Sequence, residues 1–169
     1  MRSFSLLALA LALVASPAIA EDTPPGTLTI PHATFWVSVG WDVTKASSPA
    51  DNQVDVVLDN EDLNATAMVS VSIIDPKDEA RRPVGVCSDF RDVITKKQAQ
   101  LQTAWTLPAG RACLLSGITA KGRRFLVRSS YLLGRDNEVV TVRLQYPLGV
   151  KPADMMKEAA EIAASTTIP

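Results

Sequence analysis

The chain has 169 residues, with 17 Lys and Arg against 18 Asp and Glu, one His, two Cys and 47% hydrophobic residues. That length holds a single domain, and the composition excludes a disordered tail or a collagen. The near balance of charge excludes the basic field that drives nucleic-acid binding, so no nucleic-acid partner is expected.

At the N-terminus, Arg2, the apolar run Leu6 to Ala15 and the small residues Ala18-Ile19-Ala20 have the layout of a secretory signal peptide cleaved after Ala20. The run is shorter than the roughly 20 residues that a membrane span needs. The expectation is a signal peptide at 1–20 and one domain at 21–169, periplasmic or secreted, without a membrane span. Loss of Arg2 leaves 16 basic against 18 acidic residues.

Residues 27–39 read as one or two strands interrupted at Pro31, and Gly40-Trp41-Asp42 ends them. Residues 43–52 read as a loop. Gln53 to Asp59 alternates, with Val54, Val56 and Leu58 on one side. A turn at 59–62 leads to a second alternating run from Ala65 to Asp75, with Ala65, Ala67, Val69, Val71 and Ile73 on one face. The period then changes to that of a helix between Val86 and Leu101, with Val86, Phe90, Val93, Ile94 and Leu101 on one stripe. Three strands follow at 111–120, 123–133 and 138–146. A second helix, opened by Pro152, runs to Ala164 with Met155, Met156, Ala159, Ile162 and Ala163 facing inward.

Cys87 and Cys113 are the only cysteines, and in an exported domain such a pair is a structural disulfide. A redox-active pair would show the C-x-x-C spacing, which is absent. Closing a loop of about 27 residues is worth roughly 3 to 4 kcal/mol in the chain-entropy account.

A four-residue loop from Gly134 to Asn137 would pair Phe125 with Tyr146, Val127 with Leu144 and Tyr131 with Val140 on an apolar face. The opposite face would then set Arg128 against Arg143, and like charges directly opposed on a sheet are destabilising. Asp89 or Asp92 of the first helix would relieve them. The alternative is that Arg128 and Arg143 form a site for an anion or an acidic partner.

Charge is divided along the chain. Residues 21–76 carry nine acidic side chains and one basic, and residues 77–169 nine acidic and fifteen basic. One reading is mutual neutralisation within the sheet. The other is an acidic rim of Asp51, Asp55, Asp59, Glu61 and Asp62 that meets a basic protein and speeds its docking, with Trp41 beside Gly40 as an interface anchor.

His32 is the only histidine, so a histidine metal cluster is impossible and a nucleophile–histidine apparatus would rest on it alone. Ser-x-x-Lys, G-x-S-x-G, a phosphate-binding glycine loop and a calcium loop are all absent. No catalytic residue, metal or cofactor is assigned.

Strands, a helix, a three-strand meander and a final helix (ββ-α-βββ-α) describe an α+β domain in which helices pack an antiparallel sheet. With Gly40-Trp41 after the first strands and a last helix ending in Ala163-Ala164-Ser165, the order resembles the PsbP-like superfamily across residues 27–167. That superfamily includes a photosystem subunit, a Ran-GTPase release factor and bacterial exported proteins. The resemblance implies an α/β/α sandwich and a protein-binding habit, with no catalytic residues to transfer. The function expected is therefore a non-enzymatic exported protein-binding domain, such as an immunity protein against a periplasmic toxin or an envelope or secretion accessory factor. The alternative is a small-ligand or lipid carrier, with a pocket between the sheet and the Met155-Met156 helix. A hydrolase ranks last. The oligomeric state is not encoded in any pattern found.

Overall fold

The computed structural model describes residues 27–30, 33–75, 77–132, 134–135 and 137–168. The signal-peptide segment and His32 lie outside the described residues. A short hairpin, β1 (Thr27–Ile30) and β2 (Ala33–Trp36), precedes β3 (Asp42–Ala50), β4 (Gln53–Asn60) and β5 (Ala65–Ile73). Helix α1 (Pro83–Lys96) leads to β6 (Gln100–Thr106), β7 (Ala112–Ile118), β8 (Arg124–Tyr131) and β9 (Glu138–Tyr146), and α2 (Pro152–Ser165) ends the chain. Seven strands form one antiparallel sheet in the order β3-β4-β5-β9-β8-β7-β6. Among the described residues, no helix is long and apolar enough to cross a membrane.

The two sheet faces are covered unequally. On one face, Val54, Val56 and Leu58 of β4, Val69 and Val71 of β5, Leu126 of β8, and Val140, Val142 and Leu144 of β9 are buried. Ala33 and Phe35 of the small hairpin and Met155, Ala159 and Ile162 of α2 close over them as a single core. Three ties fix these layers. Thr34 and Thr167 exchange backbone hydrogen bonds at 2.9 and 2.8 Å, and the Trp36 N–H donates to Ser165 Oγ at 2.9 Å. The buried Glu158 carboxylate of α2 accepts from both the backbone N–H and the hydroxyl of Ser38. The other face carries α1 across β6, β7 and β8. There Cys87 and Ile94, with Phe90, pack on Cys113, Leu115, Phe125 and Val127, and a Cys87–Cys113 disulfide ties helix to strand.

Three expectations are corrected. Residues 43–52, read as a loop, form most of β3. Every residue of β3 is exposed, so no apolar alternation marks it. Pro49 and two register shifts protect this sheet edge from pairing with another chain. The helix read as reaching Leu101 stops at Lys96, where Gln98 takes a φ of 54° and reverses the chain. Leu101 belongs to the opposite edge strand, β6, which is also mostly exposed.

The third correction concerns the last hairpin. Its loop spans five residues, because the Leu132 N–H donates to the Glu138 carbonyl at 2.9 Å. Phe125 therefore pairs with Gln145, Val127 with Arg143 and Arg128 with Val142. A shift of one residue moves every side chain to the other face. β8 is apolar on both sides, with Phe125, Leu126 and Val127 all buried, so alternation alone does not say which side meets the core.

Gly117 shows how closely β6 is joined to its neighbour. A Cβ there would lie 2.0 Å from the Gln100 carbonyl and 2.8 Å from the Phe125 ring. Backbone cannot yield as a flexible side chain can, so Gly117→Ala is expected to loosen β6 and cost roughly 1–3 kcal/mol, the range for overpacking. Chemical denaturation of the folded variant measures this loss.

Candidate functional site: the open half of the sheet

Because α1 lies over β6, β7 and β8, the same face of β3, β4 and β5 is left without a covering helix. Strand β4 shows the division residue by residue. Val54, Val56 and Leu58 are buried on the α2 side, and the alternate Gln53, Asp55, Val57 and Asp59 are only partly buried. Register aligns Asp42, Asp59 and Thr66 in one row across β3, β4 and β5. Lys45, Val57 and Met68 form the next row, and Ser47, Asp55 and Ser70 the one after.

Asp42 and Asp59 are thus direct cross-strand partners of like charge, an arrangement that costs stability. The turn that follows β4 adds Glu61 and Asp62, both exposed. Asn60 shapes this turn, its Oδ1 accepting from the Leu63 N–H at 2.9 Å. Asn64 closes it at a φ of 47°, with its carbonyl held by Arg123 Nη2 at 2.5 Å. Gly40 has a φ of 96°, and a Cβ there would come within 3.1 Å of Asn60 Nδ2. Glycine at this position lets the chain pass Asn60 and turn into Asp42. Trp41, next to it, is partly buried against the main core.

The structure therefore gathers Trp41, Asp59, Glu61 and Asp62 at one end of β4 and adds Asp42. Asp42 escaped the sequence reading because its strand has no apolar period and its partner is fixed only by pairing. Asp55 sits on the same face farther along β4. Asp51 occupies the opposite turn, roughly 25 Å away along a strand rising about 3.3 Å per residue. Residues 42–62 hold six acidic side chains and one Lys.

Arg128 and Arg143 do not share a site. Arg128 pairs with Val142 and faces the α2 side, its guanidinium 5.9 Å from the centroid of the Trp105 ring. Arg143 faces the α1 side, 4.4 Å from the Phe90 ring centroid, with Nη1 3.7 Å from Met68 Sδ. Burial lowers both guanidinium pKa values from their ordinary range, and Asp55 partly opposes this at Arg143. The Nε atoms of both are buried without a hydrogen-bond partner among the described residues. Of the α2 residues around the expected carrier pocket, Met155, Ala159 and Ile162 are buried in the main core and Met156 packs against it partly buried.

No protein-family model matches the sequence, and none of the curated proteins matches it. Solved structures do match. The solution structure of cyanobacterial PsbP (CyanoP) from Synechocystis sp. PCC 6803 superposes with a TM-score of 0.53 at 16% identity, over 82% of this chain and 87% of that one. At that identity the likeness is one of fold. The α+β sandwich expected from the element order is the observed architecture, and the chain has a PsbP-like fold.

Proposed function

We propose that this chain is an exported, non-enzymatic binding domain that docks a basic protein on the open half of its sheet, at the end built from Asp42, Asp59, Glu61 and Asp62, with Trp41 packed on the main core beside it. One observation carries this reading: α1 covers only one half of its sheet face, and the half left open is acidic. The opposed pair Asp42 and Asp59 adds support, because it lowers stability in isolation and a cationic partner would relieve it. The protein-binding habit implied by the PsbP-like resemblance is in keeping with it. An immunity protein against a periplasmic toxin and an accessory factor for envelope or secretion assemblies both fit this description.

The test is capture from the organism's own envelope and secreted fractions by processed, oxidised protein, with an Asp59→Lys/Glu61→Lys/Asp62→Lys variant beside it. A basic protein held by the wild type and lost by the variant is expected, with capture weakening as salt is raised. Unchanged capture by the folded variant would overturn the assigned surface. Asp59→Lys alone separates binding from folding. It turns the like-charged pair with Asp42 into an opposite one, so stability is expected to rise by a few tenths to about 1 kcal/mol while capture falls. Thermal unfolding measures the first effect and the pull-down the second.

A further inference from the structure

The two outer strands of the sheet differ in how they meet solvent. β3 carries Pro49, two charged side chains and two register shifts, all features that discourage pairing by another chain. β6 has no proline and no charge, and every residue in it but Thr103 is exposed. Its one register shift falls between Leu101 and Thr103, so Thr103 to Thr106 pair regularly with β7 and leave their outer edge open. Such an edge is a template for an added strand. The surrounding sequence has one sign of charge. Residues 93–135, which hold β6, β7 and β8, carry eight basic side chains and no acidic one.

We propose that β6 accepts an extended acidic segment of a partner protein as an eighth strand of the sheet. Two arginines of β8 set the sign of that partner. Pairing places Trp105, Leu114, Arg128 and Val142 in one row on the α2 face, and Ile118, Arg124 and Tyr146 in another. Both arginines reach across β7 to β6. Arg124 Nη1 donates to Gln102 Oε1 at 3.2 Å in an exposed bond, and the Arg128 guanidinium lies 5.9 Å from the Trp105 ring centroid. Among the described residues, neither has an acidic side chain within ion-pairing distance. Burial lowers the Arg128 pKa with no carboxylate to oppose it, whereas Asp55 opposes it at Arg143. A strand added beside β6 would lie about 4.8 Å away, so carboxylates on its α2 face would come within reach of both guanidiniums. Its other face would cover Leu101, which is exposed on the α1 side. A second copy of this chain fits the edge less well. Two-fold pairing of β6 with itself would set Arg124 and Arg128 of both copies along one face of the seam, and like charges at an interface cost affinity.

The probe is a seven-residue peptide of alternating glutamate and valine with blocked ends, titrated into ¹⁵N-labelled oxidised protein. Amide exchange is expected to slow at alternate residues between Gln100 and Thr106, whose N–H groups face away from β7, and to stay unchanged in β3. Three comparisons isolate the causes. A peptide of alternating lysine and valine is expected not to bind. The glutamate-valine peptide N-methylated at each amide, which keeps its charge and loses its donors, is expected to lose binding. Arg124→Gln/Arg128→Gln, in a protein whose amide spectrum stays dispersed, is expected to weaken the acidic peptide about tenfold. The peptide comparisons use the wild-type protein and stand whether or not that variant folds. The proposal is overturned if the acidic peptide gives no saturable effect at millimolar concentration, if the methylated or the lysine peptide binds as tightly, or if the folded arginine variant binds unchanged. It is also overturned if β6 amides become protected as protein concentration rises without peptide, which assigns the edge to a second copy. Binding of phosphatidylglycerol vesicles at β6 without binding of the peptide would overturn it too. The edge fails separately from the acidic docking surface. Asp59→Lys/Glu61→Lys/Asp62→Lys should bind the acidic peptide no less tightly than the wild type, and Arg124→Gln/Arg128→Gln should still capture the basic protein.

Discussion

Replacing Cys87 and Cys113 together by alanine is expected to lower the free energy of unfolding by about 3–4 kcal/mol. The two residues lie 26 apart in sequence, so the bond removes a loop of substantial entropy from the unfolded chain. The local packing makes the loss harder to absorb. Apart from the disulfide, α1 is held to the sheet by a small cluster in which Ile94 and Phe90 meet Leu115, Phe125 and Val127. Few apolar contacts give an element a low free energy of local opening. Urea denaturation of the oxidised wild type, the reduced wild type and the double-alanine variant measures the effect. The last two should share a midpoint well below the first. Amide exchange should accelerate in α1 before it does in α2, which is tied into the larger core.

The second large effect is expected at Leu126, where alanine should cost about 2–5 kcal/mol. Leu126 is fully buried and pairs with Leu144 near the middle of the sheet, so the lost methyl groups leave a cavity that rigid strands cannot collapse. The comparison residue is Val57 of β4, which is only partly buried on the open half of the sheet. Val57→Ala is expected to cost well under half as much. Denaturation midpoints of the two variants decide between registers. The register inferred from a four-residue loop places Leu126 on the polar face, and the observed one places it in the core.

The degree to which the fold was legible follows from where each strand lies. The inner strands β4, β5 and β9 carry a buried alanine, valine or leucine at alternate positions on one face, although Ile73 at the end of β5, expected on that face, is exposed, and this period of two shows in the residues alone. The helices declared themselves by their apolar stripes and, in α2, by Pro152 in the first turn, whereas α1 starts at Pro83, three residues before the stripe read from Val86. The edge strands β3 and β6 have almost no buried side chains, so their sequences resemble loops, and only pairing reveals them. The disulfide was expected from the presence of two cysteines in a chain read as exported, and the structure joins the same two sulfurs.

The candidate site was legible in part for the same reasons. Asp59, Glu61 and Asp62 stand out as a charge run, but Asp42 joins them only through the β3–β4 register, and Asp51 leaves them because it occupies the opposite turn. The Arg128–Arg143 pairing depended on one residue of loop length. With the five-residue loop, each guanidinium lies on its own face beside its own aromatic ring, Trp105 for Arg128 and Phe90 for Arg143.

The most direct test of the docking surface is amide exchange on the complex between this protein and the basic protein it captures, compared with the free protein. Slowed exchange is expected in residues 40–45 and 57–63, with α1 and β6 unchanged. Slowing confined to α1 or to β6, with residues 40–63 exchanging as in the free protein, would contradict the account.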